Sequence, residues 1–335
     1  MDASSPLADA DVVTLTACPA CGGDRHRRLA TPGRWIGPEV FAPLTGRLGL
    51  AGCRDCGLVF VNPRPSSARL GAFYAGSTYD CHETAGSSSA GKVADHLMTI
   101  IERHLPAAAP RHVLDYGAGG GGFLLSVRER GWRASGLEPG RRGLTACRAA
   151  GLDMVERPEE LPDARFGLVT FHHVFEHLED PAAVLATVRR VLAPDGRLFI
   201  EVPNASALRA RLAMPWLTRR FAIDERYRAF PIHLAYYSRA TLTRVLADAG
   251  WAVEHSFTVG LGLDEYFVSD PAKHPPAPSS APAPQKDQAA DAAPVAGSHQ
   301  RKRLRHRLRD GFLGMGWGEN LAVIARPLTP ESTAA

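Results

Sequence analysis

From residue 112 onward the chain repeats one rhythm, a short apolar run followed by an amphipathic stretch, and few folds accept it. The runs HVLDYG, RASGLE, LDMVE, FGLVTFH and GRLFIEVP read as strands. Between them GFLLSVRERG, RRGLTACRAAG and PAAVLATVRRVLAPDG read as helices, the last closing on Gly196. SRATLTRVLADAG opens on Ser238 as a helix N-cap and ends at Gly250, WAVEHSFTVG follows as a strand, and NLAVIARP supplies a final strand at a central or near-edge position. Strands and helices in alternation predict an α/β fold: a doubly wound, mostly parallel, seven-stranded Rossmann-like sheet covered on both faces.

The rest of the chain is appended to that core. Apolar residues make up 45% and charged residues 22% of 335, values of a globular protein with a sizeable core. Its 39 basic and 35 acidic residues leave a formal charge of +4, too balanced to announce a polyanion partner. The first residues, MDASSPLADADVV, lack the basic and apolar regions of a secretory signal, and no apolar run reaches membrane-spanning length. A cytoplasmic setting without a membrane partner is therefore expected. Residues 271–298 are rich in Pro, Ala and Ser and are expected to be a disordered linker. The basic stretch Arg301–Arg309 reads as a solvated helix face rather than a nucleic-acid site, because no aromatic interleaving accompanies it. The expected division is 1–90 for an N-terminal module and lid, 91–270 for the α/β core, 271–298 for the linker, and 299–335 for a basic helix and the last strand.

Two constellations carry chemistry. In the first, strand HVLDYG runs into GAGGGGF, placing Gly117, Gly119 and Gly121 behind Asp115 at a strand-to-helix turn. Such glycines let backbone approach a ligand closely, and Glu138, ending the next strand, is placed to accept hydrogen bonds from ribose hydroxyls. Gly117, Gly119 and Gly122 also satisfy the dinucleotide pattern, which keeps an NAD-dependent oxidoreductase as the second reading. The carboxylate of Asp115 suits a cationic or amino-bearing ligand better than a pyrophosphate. A third reading is a non-catalytic nucleic-acid-binding module built on the N-terminal cysteines and the basic stretch.

In the second constellation, CPACGG and CRDCGL each place two cysteines before a glycine: Cys18 and Cys21, then Cys53 and Cys56. Doubled knuckles of this kind present four thiolates to a structural zinc ion, forming an elaborated zinc ribbon given their wide separation. Cys81 and Cys147 read as packing residues.

The segment FHHVFEHLEDP spells H-x-x-E-H through His173, Glu176 and His177, as on an inverted zinc-protease helix. Here the pattern follows a strand directly and meets Asp180-Pro181, an N-cap and first helical residue, leaving little more than one turn. A loop role for Glu176 and His177 is therefore favoured over a catalytic metal. Candidate general bases are His173, with His172 beside it, and His233 and Tyr237 in FPIHLAYYS. Trp216, Phe221 and Tyr227 could wall a pocket, and Arg219 and Arg220 could meet a phosphate.

VLDYGAGGGGF, GLEPG, FGLVTFHHVFEHLEDP, LAPDGRLFIEVPN and HLAYYSRATLTRVLADAGW together resemble the class I S-adenosylmethionine-dependent methyltransferases, over roughly residues 92–262 and the last strand. The resemblance implies that Asp115, Gly117 and Glu138, with Gly119, hold S-adenosylmethionine. Gly121 and His172 complete the expected cofactor set. Glu156 or Glu159 stands where an adenine-contacting acid is expected, and HHVFEHLEDP becomes the floor of the active site. CRDCGLVFVNPRPS resembles zinc-ribbon methyltransferases of nucleotide sugars and secondary metabolites, which implies a small-molecule acceptor.

Overall fold

The structure is a computed structural model and describes residues 9–29, 38–75, 88–207, 229–260, 313 and 315–328. The linker at 271–298, the stretch Arg301–Arg309, Cys81, Trp216, Arg219, Arg220, Phe221 and Tyr227 lie outside the described residues.

The N-terminal module contains β1 (Val12–Val13), β2 (His26–Leu29), β3 (Leu50–Cys53), β4 (Val59–Val61), β5 (Arg64–Pro65) and α1 (Ser67–Ala75). α2 (Ser88–Glu102) leads into the core, where β6 (His112–Tyr116), α3 (Gly122–Glu129), β7 (Arg133–Leu137), α4 (Arg141–Ala149) and β8 (Asp153–Val155) follow. Then come β9 (Phe166–His172), α5 (Pro181–Val191), β10 (Leu192–Pro203), β11 (Ala235–Tyr236), α6 (Arg239–Asp248), β12 (Trp251–Val259) and β13 (Asn320–Pro327).

The expected seven-stranded sheet is present, in the order β12-β13-β10-β9-β6-β7-β8. β10, β9, β6, β7 and β8 pair in parallel, while β13 runs antiparallel to both β10 and β12. The last strand in sequence thus lies one position in from the edge, and its apolar run Leu321 to Ala325 is fully buried. Order reverses between β6 and β9, so a crevice opens beyond their carboxyl ends, the usual ligand position in such sheets.

Two elements differ from expectation for local reasons. The helix expected to close on Gly196 stops at Val191, and Leu192 already pairs with Phe166 of β9. Pro194 explains this: it lacks an N–H and biases Ala193 away from helical geometry. In the other direction, α2 begins at Ser88, inside a segment read from its Gly and Ser content as loop. Extending a nucleated helix gains one hydrogen bond per residue, which offsets poor propensity.

The N-terminal module is joined to the core rather than strung beside it. β11, reached only after α5 and β10, pairs with β4 and completes a four-stranded antiparallel sheet, β11-β4-β3-β2. Cys18, Leu58 and Phe60 of the module share one hydrophobic cluster with Leu114, Phe175, Tyr237 and Leu242. No helix among the described residues is long and apolar enough to cross a membrane.

Candidate active site and metal centre

At the end of β6 the backbone turns through Gly117 (φ +83°), Gly119 (φ +51°) and Gly121 (φ +79°), all left-handed conformations that side chains resist. At Gly117 space is also short: a Cβ there would stand 2.6 Å from Cγ2 of Val174 in the loop after β9. Gly121 is the N-cap of α3, so the turn delivers the amino end of that helix to the crevice.

The two carboxylates expected there are both buried. Asp115 accepts a hydrogen bond from the Thr170 hydroxyl at 2.8 Å, which ties β6 to β9 at the reversal of strand order. Glu138 accepts from the amides of Gly119 (2.8 Å) and Gly140 (2.6 Å), bracing the glycine turn against the turn after β7. Burial raises the Glu138 carboxyl, while those two N–H groups pull it back toward the ionised form. The main chain of Tyr74, at the end of α1, lies near Gly140, so the N-terminal module reaches the crevice. Glu156 and Glu159 are exposed beyond β8.

The loop after β9 brings the histidines together. His173 adopts φ +54°, rare for a residue with a side chain and often found where a functional group must be aimed. Its imidazole is 45% exposed, with Nδ1 3.6 Å from Glu176 Oε1, an electrostatic contact rather than a formed hydrogen bond. Asn320 Nδ2 stands 3.3 Å from His173 Nε2 and donates to Glu201 Oε1 at 3.0 Å. Since the amide donates, His173 Nε2 accepts and Nδ1 carries the proton toward Glu176.

Phe175–His177 form a single 3-10 turn, not an α-helix, so the protease arrangement of H-x-x-E-H is not formed. Glu176 is buried, and burial alone would raise its carboxyl. The approach of His173 and the fields of His177 and His233 outweigh this and hold it down at about 2. Burial pushes His233 down to about 3, so it is neutral at pH 7.

The remaining expected residues stand elsewhere. The His172 ring packs between Phe123 and Phe199, with Nδ1 3.3 Å from Glu201 Oε2. Tyr237 is 1% exposed, packed against Phe175, and burial raises its phenol, so it keeps its proton in the core instead of serving as a base. Sequence reasoning missed Glu201, Asn320, Thr170 and Tyr74. Glu201, a lone charge in the apolar run LFIEVP, was the one detectable signal.

At the opposite end of the shared cluster, Cys18, Cys21, Cys53 and Cys56 bring their sulfurs within 4.8 Å of one another. The closest pairs, Cys18–Cys56 at 3.7 Å and Cys21–Cys53 at 3.6 Å, are too far apart for disulfides. They fit the edge of about 3.8 Å that tetrahedral zinc with ~2.3 Å bonds requires. The Asp55 amide donates to Cys53 Sγ at 3.4 Å, and Gly57 turns at φ +80° behind the second pair. Arg244 of α6 donates to the Asp55 carbonyl at 3.1 Å, anchoring this knuckle on the core.

A parallel sheet that reverses order beside a glycine turn, with a buried carboxylate ending the neighbouring strand, defines a nucleoside-binding α/β domain. Residues 90–256 match the family described as a methyltransferase domain, and they are a methyltransferase domain of the class I S-adenosylmethionine-dependent family. A ubiquinone biosynthesis O-methyltransferase from Photobacterium profundum is 29% identical over 120 residues, 33% of this chain and 51% of that protein. One of the same description from Hahella chejuensis is 34% identical over 109 residues, 29% of this chain and 46% of that protein. The chain thus spans about half the length of the curated relatives it matches. Among solved structures, it is similar to the Burkholderia thailandensis 1,6-didemethyltoxoflavin-N1-methyltransferase (TM-score 0.46, 14% identity, covering 88% of this chain and 99% of that one).

Proposed function

We propose that this chain transfers the methyl group of S-adenosylmethionine to a small-molecule acceptor, a sugar or natural-product intermediate, with the four-cysteine ribbon holding a structural zinc ion. The observation that carries the reading is the glycine turn at the strand-order reversal, with buried Glu138 spanning it. The residues present fit the cofactor: a backbone cradle that a Cβ at Gly117 would fill, and a carboxylate with acceptor capacity beyond its two amide bonds. Asp115, Gly117, Gly119, Gly121 and Glu138 would hold it. S-Adenosylmethionine, when bound, supplies an electrophilic methyl group on a sulfonium.

The chain's own part is to hold the acceptor close, exclude water and accept a proton where the nucleophile carries one. His173 suits the last task, being exposed at the end of β9 and oriented by Asn320. The curated relatives are O-methyltransferases, which supports an oxygen nucleophile.

Calorimetric titration with S-adenosylmethionine and with NAD tests the reading. Saturable binding of the first and none of the second is expected; the reverse would make the protein a nicotinamide enzyme. An acceptor screen with a labelled methyl donor then identifies the substrate class.

A further inference from the structure

Outside the cysteine ribbon, a second set of metal-ligating side chains converges where the sequence pattern alone argued against a metal. Glu176 Oε1 stands 4.0 Å from His177 Nε2 and 3.9 Å from His233 Nε2. The three ligand atoms lie within 4.8 Å of one another. Glu176 is 1% exposed, and neither of its oxygens has a hydrogen-bond partner at full bonding distance. A buried carboxylate left this way is costly unless something positive occupies the gap.

The surroundings are those of a ligand set. His177 Nδ1 lies 2.9 Å from the Ile232 carbonyl and 2.9 Å from the Tyr74 hydroxyl. Donation from Nδ1 to the carbonyl leaves the Nε2 lone pair directed at Glu176, the tautomer and orientation typical of metal-bound imidazoles. The Leu234 amide donates to the Glu176 carbonyl at 2.8 Å, so main chain holds the His233 segment against the loop independently of any ion.

We propose that Glu176, His177 and His233 form a binding site for a divalent transition metal, distinct from the four-cysteine ribbon. Two imidazoles and a carboxylate favour zinc or a neighbouring first-row ion over magnesium or calcium. Bonds of ~2.1 Å set tetrahedral ligand atoms ~3.4 Å apart, so the pairs close by about half an ångström on binding. Three protein ligands leave a position for water or for an acceptor oxygen, whose deprotonation the ion would favour. That second role rests on the methyl-transfer reading; metal binding does not.

The test uses the full chain. Cobalt(II) is titrated in until the sulfur-to-cobalt charge-transfer band of the ribbon reaches its plateau, and metal content is measured after desalting. A further equivalent beyond the ribbon's, with d–d absorption but no added charge-transfer intensity, is expected. Glu176→Gln and His233→Ala should each lose that equivalent while keeping the ribbon band. Wild-type protein that takes up no metal beyond the ribbon overturns the proposal, as does an extra equivalent retained in both variants. If the variants fail to fold, zinc-edge X-ray absorption on zinc-saturated wild type decides: mixed sulfur and nitrogen/oxygen ligands support the site, and a pure sulfur shell refutes it. Because every readout is metal binding, a failure of the methyl-transfer reading would leave the result unaffected.

Discussion

Replacing Gly117 with alanine tests the glycine turn through two separable costs. At φ +83° an L-residue pays about 1–2 kcal/mol for left-handed backbone. The new Cβ would also stand 2.6 Å and 3.0 Å from the two γ-carbons of Val174, an overlap worth a further ~1–3 kcal/mol in packed surroundings. Gly117→Ala should therefore lose roughly 2–5 kcal/mol of a stability on the order of 5–15 kcal/mol. Val174→Ala removes the methyls that collide but leaves φ unchanged. In urea denaturation of both single variants and the double variant, the double should be more stable than additivity predicts by about 1–3 kcal/mol, the steric part. Additive effects would refute the close approach of the loop after β9, and a Gly117→Ala loss below about 0.5 kcal/mol would refute the geometry of the turn.

Stripping zinc from the ribbon with a strong chelator should lower the melting temperature of the whole chain, because Cys18 and Phe60 share a hydrophobic cluster with Phe175 and Leu242; scanning calorimetry with and without chelator checks this. Glu138→Gln places an amide NH2 where one backbone N–H now finds an acceptor, and should weaken S-adenosylmethionine binding by roughly 1–3 kcal/mol, about 5- to 150-fold by calorimetry. His112 is buried, and burial, aided by the charges of Arg133 and Arg165, lowers its pKa to about 4. The unfolded chain therefore takes up this proton first as pH falls below about 6.5, so His112 makes stability decline from there to about 4 and has no effect at higher pH. His112→Phe should flatten that decline, since Ser135, which pairs with His112, keeps Asp153 as a partner at 2.8 Å; urea midpoints at several pH values measure it.

Much of the α/β core was legible because its signals are local. Apolar periodicity marked each strand, and Ser238, Gly250 and Asp180 marked helix ends that the structure realises through side-chain caps and a left-handed glycine. The glycine turn and the four cysteines were legible for the same reason: each motif carries its requirement within a few residues. Asn320 was not, because it reaches His173 only through the insertion of β13 beside β10, 147 residues away in sequence. Tyr237 was misread as a base because its neighbours in sequence say nothing of the core that encloses it.

The sequence by itself determined the class of fold, the glycine cradle with its acids, and the paired knuckles, since periodicity, φ requirements and ligand spacing are properties of short segments. Only the tertiary structure decided what FHHVFEHLEDP does. A strand end at His173, a 3-10 turn and β11's pairing with β4 bring His233 against Glu176, converting a protease-like spelling into a buried cluster drawn from separate segments. Long-range pairing sets which side chains meet, and no local pattern records it.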